Sequence, residues 1–367
     1  MSFGLRFLVP WLLLAPLAAA ASASQVTLGL VLPPSEPNAT GLLRGVQLAV
    51  ADANESGEAL VGLEVQGDEG QWGTAGNDAV ILLSERHVDA IISPSDGATS
   101  HLILQVSGRT QVPVASLCPD SSVTNTGVLW AIRVVPRTDL EAMALFCAAR
   151  RPDRSPLHWW AVVPTGRPGR GVRRDLKKAA HDTSTQLEQI LDACESRSDL
   201  DAQVHLIVAA APGGVLIWLP PAQAGALAAA LRAAGYQGPL AGPSPLDSPD
   251  FIAAAGSAAD GVRITSFRED ADFRARAEAF ETLFQRRYGS MPDFAAAAAY
   301  DAARVLIETL RRSEKGEGDR QFPLTRPIAG VTGLLHFDNL GNRTDALQVT
   351  ICKAGRFVPL PSDDTKL

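Results

Sequence analysis

Residues 88–124 read VDAIISPSDGATSHLILQVSGRTQVPVASLCPDSSVT, and the reading of this stretch decides the fold. Two short apolar runs, VDAII and VPVAS, flank a helix-like segment, HLILQVSGRT. Each run ends in small, hydroxyl-bearing or acidic residues, SPSDGATS and LCPDSSVT. Continuous apolar strands separated by helices predict a parallel sheet covered on both faces.

The alternation extends in both directions. VTLGLVLP (26–33) is a β-rich run, and GLLRGVQLAVADANESG follows with Leu43, Val46 and Val50 at helical spacing and a stop at Gly57. LEVQGDE reads as a strand and NDAVILLSERH as a helix. A second set opens near residue 140 with the helix DLEAMALFCAAR, the strand LHWWAVVP, the helix RGVRRDLKKAAH and the strand QLEQIL. VHLIVAAA, GGVLIWLP, the helix AQAGALAAALRAAG, GPLAG and GVRITSF continue it as β-α-β-α. The helical FRARAEAFETLFQRRYG and DFAAAAAYDAARVLIETLRR come next, then a charged surface loop, RSEKGEGDRQ (312–321). The chain closes in strands joined by an Asn-Leu-Gly-Asn turn. The expected architecture is α/β, with two doubly wound parallel-sheet lobes.

Composition agrees. The chain has 367 residues, too many for one ordinary core, with 46% hydrophobic and 20% charged residues, as in a globular protein. A formal charge of −7 with scattered Lys and Arg excludes a basic nucleic-acid surface. The first residues, MSFGLRFLVPWLLLAPLAAAASAS, have a basic start at Arg6, an apolar run from Phe7 to Leu17 and a small-x-small Ala21-Ser22-Ala23. That is a signal peptide over 1–23, with cleavage near Ala23 and a mature chain from Ser24. The apolar run is too short to span a bilayer and no later one reaches ~18 residues, so the mature protein is expected to be exported and not membrane-embedded. Cys118, Cys147, Cys194 and Cys352 allow three full pairings or free thiols, and their spacing does not choose.

Motifs for catalysis are missing: no HExxH, GxSxG, GxxxxGK[ST] or spaced Cys/His set occurs. GRPGRG (166–171) has the wrong spacing for a dinucleotide loop, His158, His205 and His336 lie in or beside apolar runs, and Asp270 and Asp272 read as charge at a helix start. The expectation is therefore a protein without enzymatic activity, cofactor or metal. Doubly wound sheets bind ligands beyond the carboxyl ends of their strands, where SPSDGATS and LCPDSSVT fall side by side. Any one Ser, Asp or Thr there is expected to cap the next helix, but two such loops on neighbouring strands read as a binding edge.

The order and spacing of these segments resemble those of type I periplasmic binding proteins of the leucine/isoleucine/valine-binding kind, the capture subunits of ABC importers. The resemblance runs from VTLGLVLP…GLLRGVQLAVADANESG through VDAIISPSDGATS, VPVAS, IRVVPRTDLEAMAL and ALRAAGYQGPLAGPSPL to FETLFQRRYGSMPDFAAAAAYDAARVL and GVTGLLHFDNLGNR. It implies two lobes joined by three crossovers near Val135–Thr138, Thr265–Phe267 and Thr325–Pro327. Lobe 1 would then be 24–137 plus 266–327, and lobe 2 would be 138–265 plus 328–367. It also implies a ligand enclosed by hinge closure, a small-molecule cargo, an inner-membrane permease as partner, a monomer, and a periplasmic location.

The amino-acid readers of that family do not carry over. The first-loop hydroxyl falls at Gly97, between Ser95-Asp96 and the next helix, and the second-loop Thr falls at Pro119, with Leu117, Cys118, Asp120 and Ser121 around it. The second-lobe Tyr falls at Pro168, and the acid that meets a ligand ammonium falls at Ser244. Without that acid a buried ammonium lacks compensation unless Asp96 or Asp120 supplies it. Trp72, Trp218, Leu117 and Leu219 could line a more apolar pocket, although Trp218 reads equally well as core of VLIWLP. The reading is a periplasmic solute-binding protein for a ligand other than a standard branched-chain amino acid. The alternatives are a binding protein for a hydrophobic ligand (lipid, sterol or aromatic) and a ligand sensor for a membrane partner.

Overall fold

The computed structural model describes residues 25–34, 36, 38–57, 60–67, 74–149, 157–194, 196–314 and 326–360. The signal peptide and Trp72 lie outside them. The first half builds β1 (Gln25–Val31), α1 (Ala39–Glu55), β2 (Leu60–Gln66), α2 (Thr74–Ser84), β3 (Ala90–Ser93), α3 (Gly97–Thr110), β4 (Val114–Ser116) and β5 (Ala131–Arg133). These strands form one sheet in the order β2-β1-β3-β4-β5, parallel throughout. One face carries Val26, Leu28, Leu30 and Ile92 against the α1 stripe Leu42, Val46, Ala49 and Ala53. The other carries Val31, Ile91 and Val114 against Leu82, Ile103 and Leu104 of α2 and α3. Burial on both faces is why these strands read as continuous apolar runs.

The second half builds α4 (Thr138–Ala148), β6 (His158–Val163), α5 (Gly166–Asp182), β7 (Gln186–Asp192), α6 (Arg197–Ala210), β8 (Gly214–Ile217), α7 (Pro221–Ala233), β9 (Leu240–Gly242), α8 (Pro249–Ala255) and β10 (Arg263–Phe267). After α9 (Phe273–Tyr288) and α10 (Phe294–Glu314) come β11 (Ile328–Gly330), β12 (Gly333–Leu335), β13 (Leu347–Lys353) and β14 (Arg356–Pro359). The second sheet runs β14-β13-β10-β9-β8-β6-β7, with β6 to β10 parallel and the β13–β14 hairpin antiparallel at one edge. Trp159 and Trp218 pack on α4 and α5 on one face, and Val215, Ile217 and Phe251 pack among α6, α7 and α8 on the other. The VHLIVAAA run belongs to α6: Ser196 caps its start by accepting from Asp199 N, and Val204 and Ile207 bury one face.

The chain leaves the first sheet after Arg133 and returns after Phe267, and α10 then packs along α1. The approach is close enough that a side chain at Gly45 would run into the Ala296 carbonyl. Of the residues expected at the third crossing, Thr325 lies outside the described residues. Leu335 and Phe337 are buried in the first core, and Arg133 N–H donates to Gly341 O at 2.8 Å. The chain joins the second sheet at β13.

Arg343 stands where the crossings meet. Its guanidinium donates to Val134 O (2.9 Å), Thr332 Oγ1 (2.7 Å) and Asp345 (2.7 Å), and its Cζ lies 3.3 Å from the Phe267 ring centroid. All four cysteines are free thiols, with Cys118 and Cys352 buried and Cys147 exposed.

Candidate functional site

The carboxyl ends of the two parallel sheets face each other across a cleft of about 660 Å³. The first lobe contributes Pro33, Glu36 and Asn38 after β1, Ser95–Thr99 after β3, Leu117, Pro119 and Asp120 after β4, and Phe294 and Ala298 of α10. The second contributes Glu141 of α4, Arg167–Gly171 at the start of α5 (Gly169 apart), Trp218–Pro221 after β8 and Pro243–Pro245 after β9. Nine of the lining residues are proline, so the walls are apolar and poor in backbone N–H donors.

The hydroxyl-rich loops do two jobs. Beneath the cleft floor, Ser93 Oγ lies 3.1 Å from Ser100 Oγ and donates to Ser116 Oγ at 2.9 Å, while Ser100 Oγ donates to Pro94 O. These groups are fully buried and satisfy one another, which a buried polar group must do. Above the floor, Asp96 caps α3 by accepting from Thr99 N at 2.7 Å.

Asp120 is used between the lobes. Its Oδ1 accepts from Ser122 N and Oγ (2.8 and 2.7 Å) and from Arg174 Nη2 of α5 at 2.6 Å. Burial pushes its carboxyl up, but these donors outweigh burial and hold it below the ordinary aspartate value. A Cβ on Gly97 would lie 3.2 Å from Asp120 Oδ2 and one on Gly171 2.7 Å from it, so glycine on both lobes makes room for this carboxylate. Next to it, Ser121 donates from N and Oγ to Asp175 (3.1 and 2.7 Å), a buried acid of α5.

Two other acids of the cleft are deeply buried. Glu36, 7% exposed, accepts from Ser95 N at 3.1 Å, and burial, with Asp96 nearby, pushes its pKa to about 7 against that hydrogen bond. Glu141, 2% exposed, accepts on one oxygen, Oε1, from Ser244 N (2.8 Å) and Thr265 Oγ1 (2.6 Å), and burial raises it likewise to about 7. Ser244 Oγ is buried without a hydrogen-bond partner. Among the described residues no group of three or more His, Cys, Asp or Glu is placed to hold a metal, and no helix is long and apolar enough to cross a membrane.

Of the residues expected at the site, Ser95, Asp96, Gly97, Leu117, Pro119, Asp120, Pro168, Trp218 and Ser244 line the cleft. Trp218 does so while packed in the second-lobe core, so its two readings coexist. Cys118 does not line it: its side chain is in the outer core of the first lobe with Val31 and Ile103, because successive residues of an extended chain point to opposite faces. Ser121 turns to Asp175 instead. Glu36, His101, Glu141, Arg167, Arg170 and Phe294 line the cleft and were not expected there. Glu141 had a signal in the sequence, an acid on the same helical face as Leu145 in DLEAMALF. Glu36, in a Pro/Ser/Asn loop, had none.

A model of the periplasmic binding protein family matches residues 25–326. No curated protein matches the chain in sequence. Among solved structures, the chain is similar to the branched-chain amino acid transporter substrate binding protein LivJ of Streptococcus pneumoniae in complex with isoleucine. That pair has a TM-score of 0.76 and 16% identity, covering 91% of this chain and 98% of that one. It is similar also to the leucine binding protein LivK of Thermotoga maritima (TM-score 0.75, 21% identity, 92% and 99% covered). An ABC transporter solute binding protein of R. palustris in complex with benzoate gives a TM-score of 0.78 at 17% identity, with 92% and 96% covered.

Proposed function

The chain belongs to the periplasmic binding protein family, and we propose that it captures a small molecule with an apolar body in the cleft between its lobes and delivers it to an inner-membrane ABC permease. The observation that carries this reading is the placement of Gly97, Pro119, Pro168 and Ser244. All four line the cleft: Gly97 and Pro119 lack the hydroxyl, Pro168 the aromatic ring and Ser244 the carboxyl with which the amino-acid binders that the chain resembles hold a zwitterion at these places. The ligand is accordingly not a free branched-chain amino acid. The benzoate complex of the R. palustris protein supports the idea that this scaffold takes an aromatic ligand.

The lobes we assign are 25–133 with 273–342, and 138–267 with 347–360. Asp120–Arg174 and Ser121–Asp175 would then latch them together around the ligand, and hinge closure would give the permease a shape to recognise. Export through the signal peptide, cleavage near Ala23 and action as a monomer complete the proposal.

The test is a thermal-shift panel on the chain from Ser24, setting leucine, isoleucine and valine against aromatic acids, amines, amides and solubilised lipids. A compound at 100 times its dissociation constant should stabilise by about 2.7 kcal/mol. The expected hits have apolar bodies. A shift with leucine or isoleucine at micromolar concentration would refute the proposal.

A further inference from the structure

We propose that the ligand carries a cationic amine head, clamped between Glu36 of the first lobe and Glu141 with Ser244 of the second. This rests on the cleft reading above and deepens it. On the second-lobe wall Ser244 is tied by its backbone N–H to Glu141 at 2.8 Å, and its buried Oγ lies beside the same carboxyl. An acid from α4 therefore stands against the Pro243–Pro245 turn at the cleft wall. From the opposite wall Glu36 offers a second carboxyl, held by Ser95 through its backbone N–H and its side chain. A carboxylate has about four lone-pair sites, and the proline walls donate nothing to fill those that remain. Ser244 N and Thr265 Oγ1 both donate to Oε1 of Glu141 and leave its other oxygen, so the group that completes the site is rich in N–H, and two buried carboxylates call for a positive one.

The other charged groups of the cleft do not supply that cation. Asp120 is held by Arg174, and Asp96 faces Glu36 as a further acid while capping α3. Arg167 and Arg170 stand at the exposed start of α5, and His101 lies against Ser122 Oγ at 2.9 Å. The neighbours of Glu141 that reach it, Ser244 and Thr265, are uncharged. Burial holds both glutamic acids near neutrality, so amine binding should tighten as pH rises from 6 to 8 and both ionise.

The experiment is calorimetry and thermal shift with arylalkyl- and alkylamines, each paired with the carboxylate and the alcohol of the same carbon skeleton. The proteins are wild type, Glu141→Gln and Glu36→Gln, checked for fold by circular dichroism. The expected result is binding by amines and not by their partners, with each Gln variant at least tenfold weaker and the pH dependence reduced. Two variants on different lobes keep the test alive if one fails to fold. Amine binding unchanged in both variants overturns the clamp. Hits confined to carboxylates or alcohols overturn the amine head and leave the cleft reading standing, whereas no hit of any class overturns the amine head and removes the support for the cleft reading as well.

Discussion

Replacing Glu141 by Gln should stabilise the ligand-free protein at alkaline pH. In the fold the carboxyl is buried and titrates at about 7, against 4.5 for an exposed glutamic acid. A raised pKa means that the folded state binds the proton more tightly than the unfolded chain does. The stabilisation is therefore complete below pH 4.5 and disappears as pH climbs through 7. The difference corresponds to about 3 kcal/mol for this one group. Gln keeps an oxygen for Ser244 N and Thr265 Oγ1 but never ionises. Urea unfolding of wild type and Glu141→Gln at pH 5, 6, 7 and 8, at one ionic strength, reads the effect directly. Wild type should lose stability relative to the variant by up to about 3 kcal/mol between pH 5 and 8, with Glu36 leaving a residual slope in both. Parallel curves, or a variant that falls faster than wild type, would refute the argument that burial governs this carboxyl.

Asp120→Ala removes the acceptor of Arg174 between the lobes, and the ligand-free protein should then populate an open form with a larger radius of gyration in small-angle X-ray scattering. An unchanged radius would show that the pair does not hold the lobes together. Arg343→Met leaves Asp345 and the Val134 carbonyl without their buried donor, and should cost about 3–5 kcal/mol in urea unfolding. A cost under about 1 kcal/mol would place the joining of the crossings elsewhere.

The sequence by itself determined the two doubly wound lobes and the loops that face the cleft. Both are local matters: VDAII and VPVAS are apolar at every position because each strand is covered on both faces, and small polar residues follow because the strand ends face the cleft. Gly97, Pro119, Pro168 and Ser244 were legible only through the resemblance to the binding-protein family, as the places its ligand readers occupy.

Only the tertiary structure decided what the acids do. Glu141 meets Ser244 and Thr265 across 103 and 124 residues, and nothing local separates a carboxyl desolvated by such partners from one in water. Asp120 likewise reads as a free acid in a loop until α5 brings Arg174 to it. The burial of Leu335 and Phe337 with β1, α1 and α10 follows the same rule. Such contacts join residues far apart in the chain and exist only once it has folded.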